Sequence, residues 1–183
     1  MKIKRGEISK AVLSALAVAG IVTVAVLAPN LFSVLGNFHK PIRKFNKNQI
    51  RKSVYQVKKS KLISMKELAT GETEIKLTKK GKEKILIYKL ETIKLDRTKK
   101  WDKKWRIVIF DIPEEFKHAR RAFMYKLKEI GFVSLQKSVF ITPYPCEDEI
   151  EFLKDVYLIK SYVSVIIAEK VDKEDKYRKL FKI

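Results

Sequence analysis

Asn46 to Lys61 reads NKNQIRKSVYQVKKSK. Its apolar residues Ile50, Val54 and Val57 fall at i, i+4 and i+7, the spacing of one buried helix face. A rotation of about 100° per residue puts Asn48, Lys52, Tyr55, Gln56 and Lys59 on the opposite face, with Gln49 and Arg51 on its flanks and Lys61 just beyond. Amides and guanidinium groups make bidentate contacts to base edges in a major groove, while lysines and hydroxyls meet phosphates. A helix with this face is suited to reading double-stranded DNA through those eight residues. A lysine-rich face that is merely solvated is the competing reading.

The segment that follows bears on that choice. Leu62-Ile63-Ser64-Met65 has strand character, Ala69-Thr70-Gly71-Glu72 is turn-forming, and Thr73 to Leu77 (TEIKL) alternates as a half-buried strand does. Thr78 then stands as an N-cap for a helix through Leu86, in which Gly81 is an unfavourable interior residue. Val54 to Ser64 (VYQVKKSKLIS) and Leu77 to Leu86 (LTKKGKEKIL) resemble the recognition-helix and Leu-Thr-x-x-Gly stretches of many winged-helix regulators. That resemblance implies a winged helix over residues 39–90, its helix in the groove and its Gly71 wing on the backbone. Winged helices also serve as protein-interaction modules.

Charge points the same way. The 183 residues carry 41 Lys+Arg against 21 Asp+Glu, a formal +20 that attracts polyanions such as nucleic acid or anionic lipid. Residues 1–100 hold 24 basic and 7 acidic side chains, whereas residues 101–183 hold 17 and 14, so the excess sits in the first half. The single cysteine, Cys146, excludes an internal disulfide and a thiolate zinc cluster. His39 and His118 are too few and too distant for a metal site.

From Ala11 to Ala28 the chain reads AVLSALAVAGIVTVAVLA, without a charge. Three readings stay open. The run is a pair of buried helices, the first from about Ile8 and the second around Leu31 to Leu35, that complete a helical core. It is a single membrane span at the lower length limit, ending at Pro29-Asn30 and leaving residues 40–183 cytoplasmic by the positive-inside bias. Or it is the apolar part of a cleaved signal peptide.

Leu90 to Lys104 is polar and charge-dense, which marks residues 91–104 as a linker between residues 1–90 and a second domain over 105–183. There Trp105 to Ile112 (WRIVIFDI) reads as a buried strand. Phe116, Ala119, Phe123, Leu127 and Ile130 share one helical face, and Gly131 stops that helix. Strands follow at 132–135 and 138–142, then a helix from Glu147 to Leu158 with Ile150, Leu153 and Tyr157 inward. A strand at 162–168 and a short helix at 173–181 complete the order β-α-β-β-α-β, the ferredoxin-like plait. The fold class expected is therefore α+β, an N-terminal winged helix-turn-helix followed by a ferredoxin-like domain.

WDKKWRIVIFDIPEE (Trp101 to Glu115), AFMYKLKEIGF (Ala122 to Phe132), LQKSVFITPYPCEDEIEFL (Leu135 to Leu153) and YVSVIIAEK (Tyr162 to Lys170) resemble the central domain of PaaX-like transcriptional repressors. That domain is in turn related to the small ferredoxin-like CRISPR adaptation protein. The resemblance implies a cytoplasmic, non-enzymatic, repressor-like DNA-binding regulator, paired into a homodimer through the second domain and needing no cofactor. The apolar N-terminal stretch departs from the family's polar first helix, and the acyl-CoA effector of those repressors is not carried over. By the CRISPR relationship, Asp111 matches an acidic position that holds a divalent metal between two subunits. A metal-dependent endonuclease using Mg²⁺ on Asp111 is thus the alternative of a different class, and a membrane-tethered DNA-binding protein is the third. Asp111-Ile112-Pro113-Glu114 also reads as a capping box, in which Asp111 serves the helix start instead. Trp101 and Trp105 are expected to pack where the linker joins the sheet. Cys146, beside Glu147 and Asp148, is expected to be an inert thiol.

Overall fold

The structure is a computed structural model that describes residues 5–24, 40–98 and 100–183. It is mixed α/β with antiparallel sheets and divides into two compact units, Met1–Glu91 and Thr92–Ile183.

In the first unit, helix α1 (Arg5–Ala19) turns Ile8, Ala11, Val12, Leu13, Ala15 and Leu16 into a core. Helix α2 (Lys47–Lys59) completes that core from the other side with Ile50, Val54 and Val57. Ser9 and Ser53 bridge the two helices through their hydroxyls at 3.1 Å. A short 3-10 turn, Lys40–Lys44, adds the buried Ile42. Strands β2 (Ile63–Glu67) and β3 (Thr73–Leu77) form a hairpin whose turn carries Gly71 at φ 77°, a left-handed conformation that glycine adopts without penalty.

The apolar run from Ala11 to Ala28 is not one helix. The Gly20 N–H caps Leu16 C=O at 2.9 Å while its φ of 73° ends α1. Strand β1 (Ile21–Val24) then pairs antiparallel with β3, Ile21 opposite Lys76 and Val24 opposite Thr73, in a sheet of order β1-β3-β2. The β-branched sequence IVTV favours a strand once an edge is available. Hence the single span is replaced by a core helix and an edge strand, and no helix among the described residues is long and apolar enough to cross a membrane. The second buried helix expected at Leu31 to Leu35 lies outside the described residues.

Helix α3 (Lys79–Thr92) begins on Thr78, whose hydroxyl oxygen accepts the Gly81 N–H at 3.1 Å and whose O–H donates to the Lys61 carbonyl at 2.7 Å. Gly81 has a packing reason to interrupt a helix. A Cβ there would stand 1.9 Å from the Leu62 carbonyl oxygen, a backbone atom held by the Thr78 N–H at 3.1 Å. Gly81→Ala is therefore expected to destabilise the first unit by about 1–3 kcal/mol despite alanine's better helix propensity. Urea denaturation followed at the helical circular-dichroism band measures it.

In the second unit, strand β4 (Trp105–Phe110) lies between β6 (Val139–Thr142) and β7 (Val163–Ala168), with β5 (Val133–Gln136) outside β6. All three pairings are antiparallel, giving the order β5-β6-β4-β7. Helix α4 (Lys117–Ile130) connects β4 to β5, and α5 (Glu147–Tyr157) connects β6 to β7. Alternation along β4 places Arg106, Val108 and Phe110 on one face. Phe110 meets Phe123 of α4 edge-on at 5.4 Å and stacks on Phe140 of β6 at 5.9 Å. Gly131 at φ 105° ends α4, donating to the Leu127 and Lys128 carbonyls. Fully buried Trp105 belongs to the opposite face and packs against Trp101 at 5.2 Å and, from helix α6 (Glu174–Phe181), against Tyr177 and Phe181 at 6.2 and 6.1 Å.

Candidate nucleic-acid interface

Asn46 fixes where α2 begins. Its side-chain oxygen accepts the Gln49 N–H at 2.9 Å, and Gln49 Oε1 accepts the Asn46 N–H at 3.0 Å, a reciprocal cap. Gln49 is thus partly committed to the helix start, a use that its flanking position on the helical wheel does not reveal. The remaining predicted residues Asn48, Arg51, Lys52, Tyr55, Gln56, Lys59 and Lys61 are all exposed, while Ile50, Ser53, Val54 and Val57 are buried. Tyr55 keeps 65% of its surface open. From Asn46 to Lys66 there are seven cations and no carboxylate. Positive potential therefore adds along the helix without local cancellation.

A groove of about 1000 Å³ runs beside α2, closed by Gly6, Ile8 and Ser9 at the start of α1 and by Tyr88 of α3. Gln49, Arg51, Lys52, Tyr55 and Gln56 line it, whereas Asn48, Lys59 and Lys61 lie outside its lining. Tyr88 escapes a reading of the α2 sequence because only tertiary packing brings it there. Its ring receives Lys84 at 4.8 Å and Lys10 at 5.5 Å.

The hairpin tip differs in charge. Glu67 and Glu72 are exposed beside Gly71, and Glu74 pairs with Lys76 at 3.0 Å. The Gly71 N–H is taken by the Leu68 carbonyl at 3.0 Å. Phosphate contact at this turn would meet carboxylates, so the tip is less suited to it than the exposed face of α2.

In the second unit Asp111 is exposed just beyond β4, its N–H donating to the Tyr162 carbonyl at 3.0 Å. The capping box expected of it does not form. The 3-10 turn Glu114–Phe116 follows Pro113, α4 follows Phe116, and neither start carries a side-chain cap. Glu114 instead pairs with Arg120 at 2.6 Å, whose other guanidinium nitrogen donates to the Ile112 carbonyl at 3.0 Å. Pro113 and the 3-10 turn displace the helix start by several residues, beyond reach of Asp111. No group of three or more metal-ligating side chains occurs among the described residues.

Residues 98–180 match the family model described as the PaaX protein central Cas2-like domain. The second unit is a PaaX-type central domain. No curated protein matches the chain. Within the PaaX-type domain, Cys146 is fully buried at the start of α5, its thiol pushed up from 9.0 to about 12 by burial and then by Glu147, so it stays protonated. Arg106 is a further buried ionisable group of the domain. Its Nη1 and Nη2 donate to the two Asp102 oxygens at 2.7 Å each, and Nη1 also donates to the Lys104 carbonyl at 3.0 Å. This clasp ties the segment before β4 to the sheet. The hydrogen bonds from Arg106 hold the Asp102 carboxyl well below its usual range, at about 2.

Proposed function

We propose that this chain is a DNA-binding transcriptional regulator of the PaaX-like kind, with a winged helix in its first unit and a ferredoxin-like pairing domain in its second. The exposed face of α2 carries this reading: Asn48 and Gln56 amides, Arg51, Lys52 and Lys59, and the open ring of Tyr55 on a helix without a carboxylate. Among the described residues, α1, β1, α2 and the β2–β3 hairpin, with β1 added to β3, support the winged-helix reading. The order β5-β6-β4-β7 with α4 and α5 as connections is that of the ferredoxin-like plait. The PaaX central-domain match supports a repressor-like role and pairing of two copies.

In this reading α2 enters the major groove, Arg51 and the amides read base edges, and Lys52, Lys59 and Lys61 meet phosphates. The protein works as a homodimer in the cytoplasm, needs no cofactor to bind, and leaves the DNA intact. Gel-shift titration against a random duplex pool at two salt concentrations is the test. A copy neutralising about four phosphates loses roughly 100-fold in affinity between 50 and 200 mM salt. Affinity independent of salt would overturn the reading. So would Mg²⁺- or Mn²⁺-dependent cleavage of DNA that disappears in Asp111→Ala, since Asp111 would then be the metal ligand of a nuclease.

A further inference from the structure

The PaaX-type domain contains a cavity of about 740 Å³ walled by the segment before β4 and by α6. Five cations line it: Arg97, Lys100, Lys103, Arg178 and Lys182. Among the described residues two lining side chains are carboxylates, Glu169 and Glu174. The sequence separates these groups by more than sixty positions, and α6 folding back onto Trp105 brings them together.

The cavity is organised as well as charged. Trp101 donates its indole N–H to the Lys104 carbonyl at 3.0 Å, which fixes the ring and leaves its face, not its N–H, to the cavity's contents. Arg178 lies 5.3 Å from that ring. Arg97 lies 5.9 Å from the Tyr144 ring, and its Nη2 is held by the Ile130 carbonyl at 3.3 Å. Two guanidinium groups placed by aromatic rings are oriented for bidentate contact with oxyanions. The volume is that of a site for one small molecule, within the roughly 300–1,000 Å³ of such pockets.

We propose that this cavity binds a nucleoside polyphosphate. The excess of three positive side-chain charges among the described lining residues suits a diphosphate or triphosphate. The planar base stacks on the Arg178 guanidinium, which the Trp101 ring places. Glu169 and Glu174 accept hydrogen bonds from ribose hydroxyls or a base amino group, donors that inorganic phosphate lacks. This site stands apart from DNA binding by α2, and either assignment survives failure of the other.

The test titrates the full chain with ADP, read by tryptophan fluorescence, since Trp101 lines the cavity and Trp105, the only other tryptophan in the sequence, packs against Trp101. Saturable quenching at micromolar ADP is expected. Arg178→Glu should weaken it at least about tenfold. Lys100→Glu, in a loop outside helix and strand, should weaken it in the same direction with an unchanged circular-dichroism spectrum, so that a folding defect in the first variant does not decide the outcome. Absence of saturation overturns the proposal, as does binding untouched by Lys100→Glu. Adenosine or inorganic diphosphate binding as tightly as ADP also overturns it, because one half of the ligand would then be superfluous. A single-stranded oligonucleotide that displaces ADP and binds more tightly assigns the cavity to nucleic acid instead.

Discussion

Lys52→Glu combined with Lys59→Glu is expected to weaken duplex binding by about 100-fold or more at low salt and to reduce the salt slope by about two. Each replacement removes a phosphate-neutralising charge and adds a repelling one. Lys52 and Lys59 are seven residues apart, two turns along the exposed side of α2, so both approach the same stretch of backbone. Neither side chain is buried, and the core residues Ile50, Val54 and Val57 are untouched, so the helix should persist. Lys59 stands in the last turn, where a glutamate opposes the helix dipole, but that costs only about 0.3–1 kcal/mol. Arg121→Glu with Lys128→Glu makes the same change in net charge on exposed positions of α4. If that control lowers affinity as much, global charge rather than α2 governs binding, and the assignment of the reading helix fails. Gln56→Ala should behave differently from the lysines, relaxing sequence preference by about 1–3 kcal/mol at one base pair while leaving the salt slope alone.

The parts of this fold legible from sequence are those decided by neighbours in sequence. The i, i+4, i+7 apolar set of α2, the Thr78 cap and the Gly131 stop are local signals, and each sits where it was expected. The run from Ala11 to Ala28 was ambiguous because apolar content alone does not distinguish a span from a core helix followed by a strand. What resolves it is Gly20 and a partner, β3, about fifty residues away. Asp111 failed as a cap for a different reason. Acid, proline and glutamate in series fit a helix start, yet the 3-10 turn at Glu114–Phe116 delays α4 and leaves Glu114 to Arg120. Seven of the eight predicted DNA-reading residues are exposed on or just after α2, and the eighth, Gln49, is half-buried and shared with the Asn46 cap. The cationic cavity was not legible, since one wall reads in sequence only as a charge-dense linker and the other, α6, is brought to it by tertiary packing.

Asp102→Ala is expected to cost the second unit about 2–3 kcal/mol, and Arg106→Met about half as much, although the two substitutions break the same ion pair. The asymmetry follows from burial. The Arg106 side chain is 6% exposed and that of Asp102 is 42% exposed. Removing the carboxylate leaves a buried guanidinium with only the Lys104 and Pro143 carbonyls and Glu147, the last at 3.6 Å. Removing the guanidinium returns Asp102 and Glu147 to water and puts a methionine on the buried face of β4 that Val108 and Phe110 share, so part of the loss is offset by apolar packing. The double variant should therefore be no less stable than Arg106→Met alone, and the cycle should show a coupling of about 2 kcal/mol. Equal costs for the two single variants would mean that the clasp is solvated and contributes little. The pH dependence has a fixed sign. Because the folded-state pKa of Asp102 is depressed from 3.8 to about 2, its contribution is fully present above pH about 4 and disappears as pH falls through about 2. Denaturant midpoints of the wild type and Asp102→Asn should then converge over that window, and midpoints that stay parallel below it would show that the pair does not set the acid sensitivity of the domain.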